Sequence, residues 1–268
     1  MAVLEHIRYQ DLDGLRTGRF NLGPNTSFVL YRLGDTLIDA GPHNQWRWIR
    51  RFIEEQPVSQ LLLTHYHEDH SGNSANIAAL TGVTPTAPKQ SIQPLRNGFS
   101  IQSYRRFFWG PADKVEAQPL SEQILINGRE PIQAIATPGH TPDLTCYLLP
   151  ERGWLFSGDM YISSQIKLLA REEDLPALIK STRRLLDQEF DTLLCPHRGI
   201  VTEGKQALQT KYQNLQTLVG EAQHLLQAGY SVKAITHRLL GKEPAMSFIT
   251  GFHFSKQRLI QACLTVEL

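Results

Sequence analysis

The sequence predicts a mixed α/β protein whose sheets are covered by helices, followed by a C-terminal helical extension. Over the first 200 residues, short apolar runs typical of strands alternate with helical stretches. After Gly199 the pattern indicates helices only. The 268 residues, of which 41% are hydrophobic and 20% charged, suffice for a sizeable core. We therefore expect one main domain with an appendage.

The first expected elements are a strand pair and then strands separated by helices. Residues 27–33 and 36–39 are predicted strands, because their apolar runs flank the turn signal Gly34-Asp35. The next expected elements are a helix over 45–55, a buried strand at 61–63, a helix over 73–80 and a strand near Val83.

Residues 85–119 break this rhythm and are predicted to form an insertion with some helix. They contain the aromatic and basic run Tyr-Arg-Arg-Phe-Phe-Trp at 104–109. Beyond the insertion we expect mostly antiparallel strands, then a helix and a last strand: 124–126, 131–136, 144–149, 154–156, the helix 173–186 and the strand 192–195.

Residues 203–268 form the predicted C-terminal helical extension, and residues 1–202 the main domain with its insertion at about 85–119. Helices are expected over roughly 203–228, 231–240 and 255–264. Ser231 is a plausible N-cap, because its hydroxyl can accept a hydrogen bond from a backbone N–H of the first turn.

Composition excludes several function classes. The 27 Lys and Arg residues nearly cancel the 26 Asp and Glu residues, so no nucleic-acid partner is expected. Glu5 and Arg8 interrupt the stretch where a signal peptide would be apolar, and no run of about 18 apolar residues occurs. We expect a cytoplasmic protein without a membrane partner. The three cysteines are far apart, which disfavours a disulfide framework or a thiolate zinc site.

The string that carries the chemistry is His65-Tyr66-His67-Glu68-Asp69-His70, directly after the apolar strand at 61–63. In an extended chain, residues two apart face the same way, so His65 and His67 can both point at one metal ion. Asp69 and His70 then lie at the entrance of a helix, where they can reach a second ion.

Three further sites share one local pattern, in which an apolar strand ends in a Gly- or Pro-containing loop that presents a metal-binding residue. The loops are Thr137-Pro138-Gly139-His140, Ser157-Gly158-Asp159 and Pro196-His197. Glycine and proline let the backbone turn sharply, so that the next side chain projects from the edge of the sheet. Loops at one end of a sheet can converge on a common site.

This set of motifs resembles the metallo-β-lactamase superfamily, over residues from about Asp39 to His197. The resemblance implies a four-layer αββα sandwich, an α/β (α+β) fold. It implies that His65, His67 and His140 bind one metal, that Asp69, His70 and His197 bind the other, and that Asp159 bridges the two.

A dinuclear hydrolase is the function that this resemblance and the donor set imply. Five imidazoles and two carboxylates suit two divalent ions, zinc above all, and also tolerate iron or manganese. A metal-bridging hydroxide would attack a small ester-like substrate such as a thioester, a lactone or another acyl compound. Metal binding lowers the pKa of water from 15.7 to about 7, a change worth roughly 12 kcal/mol. Asp69 would also be catalytic, because it can orient the hydroxide and pass on its proton.

Other functions remain open at this stage. A sulfur dioxygenase-like enzyme would use one iron bound by His65, His140 and Asp159. A phosphodiesterase would use both metals, and a metal-bearing regulatory or binding protein would dock a partner through the C-terminal helices. Metal analysis and substrate profiling separate these readings. A homodimer through the same helices is a further possibility.

Several residues carry two readings. Asp39 could support a metal ligand or cap the turn at Gly41-Pro42. Cys195, two residues before His197, is expected to be a core cysteine rather than a ligand. The cluster at 104–109 could form a wall or lid over the metals, or could pack the insertion onto the main domain. His253 and Lys256 are weak candidates for lining the substrate pocket.

Overall fold

The computed structural model describes residues 3–20 and 26–267. The strands in these ranges are β1 (Val3–Tyr9), β2 (Leu12–Gly18), β3 (Phe28–Leu33), β4 (Thr36–Ile38), β5 (Gln60–Leu62), β6 (Thr86–Ala87), β7 (Gln118–Pro119), β8 (Ile124–Ile126), β9 (Glu130–Ala136), β10 (Thr145–Leu149), β11 (Trp154–Phe156), β12 (Leu169–Ala170), β13 (Thr192–Cys195), β14 (Gly199–Val201) and β15 (Phe254–Ser255). The α-helices are α1 (Trp46–Glu54), α2 (Glu68–Ser71), α3 (Ser74–Thr81), α4 (Ile92–Asn97), α5 (Ser103–Trp109), α6 (Leu175–Leu186), α7 (Gly204–Gln227), α8 (Val232–Leu240), α9 (Ala245–Ile249) and α10 (Lys256–Cys263).

These elements group into two units. The first comprises Met1–Ala136, Asp143–Ile162 and Phe190–Thr202, and the second comprises Thr137–Pro142, Ser163–Glu189 and Glu203–Leu268. The expected boundary after residue 202 coincides with one of these boundaries, whereas two earlier segments group with the C-terminal residues. The division into domains made from the sequence stays a prediction.

The first unit contains two sheets that face each other. One has the order β1-β2-β3-β4-β5-β6-β7, and the other the order β14-β13-β11-β10-β9-β8. A shared apolar core joins them, with Val29 and Tyr31 of β3 in the same cluster as Tyr147 of β10 and Phe156 of β11. The rings of Tyr31 and Phe156 meet edge to face at 5.7 Å.

The β3 strand is buried along its whole length because both of its faces are covered. Its alternate residues Phe28 and Leu30 belong to a second cluster, which includes Ile49 and Phe52 of α1. Helices of the first unit therefore cover the side of the first sheet that faces away from the second sheet. The first unit is thus layered as helices, sheet and sheet.

Two strand pairings decide where the site residues emerge. The β4 strand pairs in parallel with β5, and β11 pairs in parallel with β13. Parallel neighbours end at the same edge of a sheet. The loops that follow β11 and β13, which carry Asp159 and His197, therefore leave the second sheet side by side.

The second unit is mainly helical. The long helix α7 buries Leu208, Leu215, Val219 and Ala222 along one face, at the spacing of an amphipathic helix. The N-cap predicted at Ser231 is confirmed, since its side chain accepts a hydrogen bond from the backbone of α8. None of the helices in the described part of the chain combines the length and apolar character that crossing a membrane requires. The cytoplasmic location stays a prediction.

Some predicted elements were wrong in detail. The strand predicted near Val83 is displaced along the chain to β6, which begins at Thr86, because Gly82 ends α3 in the left-handed conformation. The helix-only pattern after Gly199 was also wrong, because β14 turns back to pair with β13 and β15 pairs with β12. The insertion contains α4 and α5, and its ends, β6 and β7, join the first sheet.

Candidate metal centre

His65 and His67 lie where β5 gives way to α2. Both are buried, with 0% and 4% of their surface exposed. Their ring centroids are 4.8 Å apart, and the ring of His65 lies 4.0 Å from that of His70. The two histidines therefore share one region of the first unit, in agreement with the alternation predicted from the sequence.

Asp69, His70, Asp159 and His197 form a compact buried cluster, and one donor atom of each lies within 4.8 Å of the others. Asp159 Oδ1 is 3.1 Å from Nε2 of His70 and 3.2 Å from Nε2 of His197. Asp69 Oδ2 is 3.4 Å from Nε2 of His197 and 4.0 Å from Nε2 of His70. Three separate segments of the chain thus bring their donor atoms to one point.

The far nitrogen of each cluster histidine is held by an oxygen that can only accept a hydrogen bond. His70 Nδ1 donates to Asp39 Oδ2 at 2.8 Å. His197 Nδ1 donates to the backbone carbonyl of Ser27 at 3.0 Å. Because these partners fix the proton on Nδ1, the lone pair of each neutral imidazole is on Nε2, which faces the carboxylates. Such partners commonly orient histidines that bind metals.

The cluster suits a divalent cation. With metal–ligand bonds of about 2.0–2.2 Å, the ligand atoms of a tetrahedral zinc site lie roughly 3.3–3.6 Å apart. The observed separations of 3.1 to 4.0 Å bracket that range. A cation would lie between two carboxylates and two imidazole lone pairs, all of them buried. The residues present therefore fit a metal.

The charges in the cluster point the same way. Although burial opposes the charged form, the carboxylates of Asp39, Asp159 and Asp69 raise the pKa of His70 to about 10. Against the same opposing effect of burial, Asp159 and Asp69 raise the pKa of His197 well above its ordinary value. The cluster thus attracts positive charge strongly, whether a proton or a metal ion supplies it.

Asp39 supports the cluster and does not cap the turn at Gly41. Its carboxylate accepts hydrogen bonds from the backbone N–H of Thr64 at 2.7 Å and from His70. The residue has a φ of 66°, a left-handed conformation that Asp and Asn tolerate better than most residues. Of the two readings drawn from the sequence, the contacts favour support of a metal-binding residue.

A glycine sets the path of the Asp159 loop. Gly158 has a φ of 46°, and a Cβ atom there would lie 2.9 Å from Leu144 Cδ1 and 3.2 Å from Thr64 Cβ. Only glycine combines this conformation with so close an approach. The predicted role of glycine in this loop is therefore confirmed.

His140 belongs to the second unit, where Glu173 contacts its ring. Its Nδ1 lies 2.8 Å from Glu173 Oε1, and the other oxygen of Glu173 accepts the backbone N–H of Ala170 at 2.8 Å. The preceding Gly139 has a φ of 145°. Glu173 can thus orient His140 as Asp39 orients His70. The assignment of His140 to a metal ion shared with His65 and His67 stays a prediction.

The aromatic and basic run at 104–109 forms helix α5, and its residues have different roles. Trp109 is buried in the core, with its ring 6.1 Å from that of His197. Phe107 is 51% exposed. Arg105 donates to Glu68 Oε1 at 2.7 Å. Trp109 thus packs α5 against the core of the first unit, while Arg105 reaches the segment that carries Asp69.

Cys195 is a core residue, as expected. Its thiol donates to the carbonyl of Tyr161 at 2.8 Å, and it is fully buried. Sequence reasoning missed the residues around the cluster, Ser27, Thr64, Glu68 and Arg105, and it also missed Glu173 beside His140 in the second unit. Each acts through a contact between distant segments or through a backbone atom, and a motif does not encode such contacts.

The comparisons with known proteins agree with this geometry. A family model of the metallo-beta-lactamase superfamily matches residues 20–209, which is more than half of the chain. The chain belongs to the metallo-β-lactamase superfamily. The predicted fold class, a mixed α/β protein of this fold with a C-terminal helical region, is confirmed.

Several of the curated relatives are thioesterases by name. The chain is 31% identical to thioesterase pkgB of Emericella nidulans over 154 residues, which cover 54% of this chain and 38% of the relative. It is 23% identical to an atrochrysone carboxyl ACP thioesterase of Pseudocercospora fijiensis, over 69% of this chain and 50% of the relative. The matches thus span half or less of the length of these two relatives.

Among solved structures, the chain is similar to a beta-lactamase domain protein from Burkholderia ambifaria. The TM-score is 0.72, at 18% identity, over 97% of this chain and 86% of that chain. At this identity the likeness shows the fold alone.

Proposed function

We propose that this chain is a metal-dependent hydrolase that cleaves a small acyl compound, with thioesters ahead of lactones. The observation that carries the proposal is the convergence of Asp69, His70, Asp159 and His197 on one buried point. The thioester preference is supported by the relatives that are named as thioesterases, among them those of Emericella nidulans and Pseudocercospora fijiensis.

Seven side chains would hold two divalent ions, with zinc favoured by the imidazole and carboxylate donors. His65, His67 and His140 are assigned to the first ion, Asp69, His70 and His197 to the second, and Asp159 to both. When bound, such ions lower the pKa of a water from 15.7 to about 7 and polarise the carbonyl oxygen of the substrate.

The chain's own residues would orient and shield the reaction. Asp69 Oδ1 is buried and has no hydrogen-bond partner among the described residues, so it can accept a hydrogen bond from the attacking water. The water oxygen forms the new C–O bond to the acyl carbon while the C–S bond breaks. Asp69 passes the water proton to the leaving sulfur. Phe28 is fully buried in the core, with its ring 4.9 Å from that of His70 and 5.8 Å from that of His197, so it excludes water from the core side of the cluster.

The test is elemental analysis of the purified protein, followed by turnover of a panel of thioesters, lactones, β-lactams and phosphodiesters. Two divalent ions per chain with thioester turnover are expected. Asp69→Ala should lower kcat by at least about 100-fold, in the range of a lost general acid–base group. Asp113→Ala, which removes an exposed carboxylate of the same unit, should not.

Other outcomes would contradict the proposal. One iron per chain with oxygen uptake would establish the dioxygenase reading. Exclusive turnover of phosphodiesters would establish a phosphodiesterase. A metal-replete protein inactive on the whole panel would favour a regulatory role.

A further inference from the structure

Helix α5 of the predicted insertion makes a buried ionic contact with α2, the short helix that carries Asp69 and His70. Arg105 Nε donates to Glu68 Oε1 at 2.7 Å. The side chains of Arg105 and Glu68 are only 13% and 1% exposed. A buried ion pair of this kind is costly to break, because the partner left behind remains charged and poorly solvated. The contact therefore fixes α5 against the start of α2.

The same guanidinium reaches the carboxylate of Asp69. Arg105 Nη2 lies 3.8 Å from Asp69 Oδ1, the oxygen without a hydrogen-bond partner among the described residues. The other oxygen, Oδ2, faces His197 Nε2 at 3.4 Å. The two oxygens of Asp69 thus have different electrostatic surroundings, one toward the cluster and one toward Arg105.

We propose that Arg105 is a positioning residue for Asp69. Anchored by Glu68, its guanidinium attracts Oδ1 across 3.8 Å, so that Oδ2 stays directed at the cluster. At that distance the guanidinium forms no hydrogen bond with Oδ1, which can still accept one from water. The insertion at 85–119 thereby sets the geometry of the metal centre. The role given to Asp69 rests on the proposed function, whereas the contact between Arg105 and Asp69 does not depend on it. The planar fork of arginine matters here, since one nitrogen binds Glu68 while another faces Asp69.

If Arg105 acted through its charge alone, its removal would have the opposite effect on metal binding from that expected of a positioning residue. A positive charge near the cluster repels a cation, so its removal would strengthen metal binding if charge were all that mattered. If Arg105 instead positions Asp69, its removal weakens metal binding and changes the coordination geometry. The sign of the change in affinity therefore separates the two roles.

The experiment compares Arg105→Met with Arg106→Met in the full chain. Arg106 is the next residue of the same helix but is exposed, so its replacement removes the same charge without the Glu68 contact. Metal-free protein is titrated with Co²⁺, and the visible absorption of the loaded protein reports its coordination geometry. The Kd for metal, kcat and KM are measured on each variant.

For Arg105→Met we expect metal affinity and kcat to fall by about 10- to 100-fold, as for other residues that orient metal ligands. The cobalt spectrum should change, while KM changes less than kcat. Arg106→Met should match the wild type. Arg105→Lys, which keeps the charge without the fork, should fall between them and serves if the Met variant does not fold.

Unchanged or tighter cobalt binding with an unaltered spectrum in a folded Arg105 variant would overturn the inference. If the wild type bound cobalt but cleaved no thioester, the proposed function would fail while the cobalt readouts still tested Arg105.

Discussion

Replacing Asp39 by Asn tests whether the orientation of His70 controls the metal centre. Asp39 is 2% exposed and accepts hydrogen bonds from Thr64 N at 2.7 Å, Thr64 Oγ1 at 3.0 Å and His70 Nδ1 at 2.8 Å. Asparagine has nearly the same shape and also tolerates the φ of 66° found here. The substitution therefore leaves the backbone in place and turns one acceptor oxygen into an N–H donor.

The size of the effect follows from the three donors that surround this carboxylate. The NH2 group of the asparagine must face either the Thr64 N–H or the His70 Nδ1–H. The donor that it faces loses its hydrogen bond to a charged group, worth about 1.5–3 kcal/mol. If His70 adapts by moving its proton to Nε2, the lone pair that faces Asp159 is lost. We therefore expect metal affinity to fall by about 10- to 100-fold, and the free energy of unfolding of the metal-free protein to fall by about 2 kcal/mol.

Competition with a chelator measures the metal affinity, and urea unfolding measures the stability. Asp113→Asn is the control, because Asp113 is 55% exposed and contacts only His43 among the described ion-pair partners. If Asp39→Asn bound zinc as tightly as this control, the argument that Asp39 fixes the tautomer of His70 would be refuted. Loss of stability alone would show a folding role and no more.

Three further predictions concern other parts of the chain. Gly139→Ala should destabilise the protein by about 1–3 kcal/mol in thermal or urea unfolding, because the new Cβ would lie 2.4 Å from a backbone atom of α6. Gly128→Ala controls for backbone strain, because Gly128 also has a positive φ but a Cβ atom there would meet nothing within 4 Å. Burial raises the pKa of Cys263 to about 12 and that of Cys195 above its ordinary value, so iodoacetamide at pH 8 should label neither in the native protein and both after unfolding. Although burial opposes ionisation, hydrogen bonds led by that from Ser247 lower the pKa of Glu243 below its usual 4.5. The ionised Glu243 therefore stabilises the fold above pH 4.5, and this contribution is lost as the pH falls further. The urea midpoints of the wild type and Glu243→Gln should accordingly converge in acid.

The elements that the sequence predicted best are those whose signal is local. The strand-to-helix passage at His65 and His67 follows from alternation and from the apolar run before it. The loop at Gly158 follows from the conformational freedom of glycine. In both places a few neighbouring residues determine the backbone, so no knowledge of distant contacts is needed.

The β1–β2 hairpin was not predicted, because the side chains of β1 are mostly exposed and show no clear apolar alternation. The displaced strand near Val83 has a related cause. A two-residue strand such as β6 forms only because β5 and β7 lie beside it. Short strands depend on pairing partners, and pairing is a property of the tertiary structure.

The position of the site depends on contacts that join the two sheets beside the residues predicted to bind metal. Tyr147 donates to the carbonyl of Leu63 at 2.7 Å, and the backbone N–H of Thr145 donates to the carbonyl of Thr64 at 2.9 Å. These bonds hold the end of β5 against the second sheet. Because β11 and β13 run parallel, their loops emerge at one edge and bring Asp159 and His197 to the segment that carries Asp69 and His70. A motif can name the donors, but the register between the sheets decides whether their separations of 3 to 4 Å suit a cation.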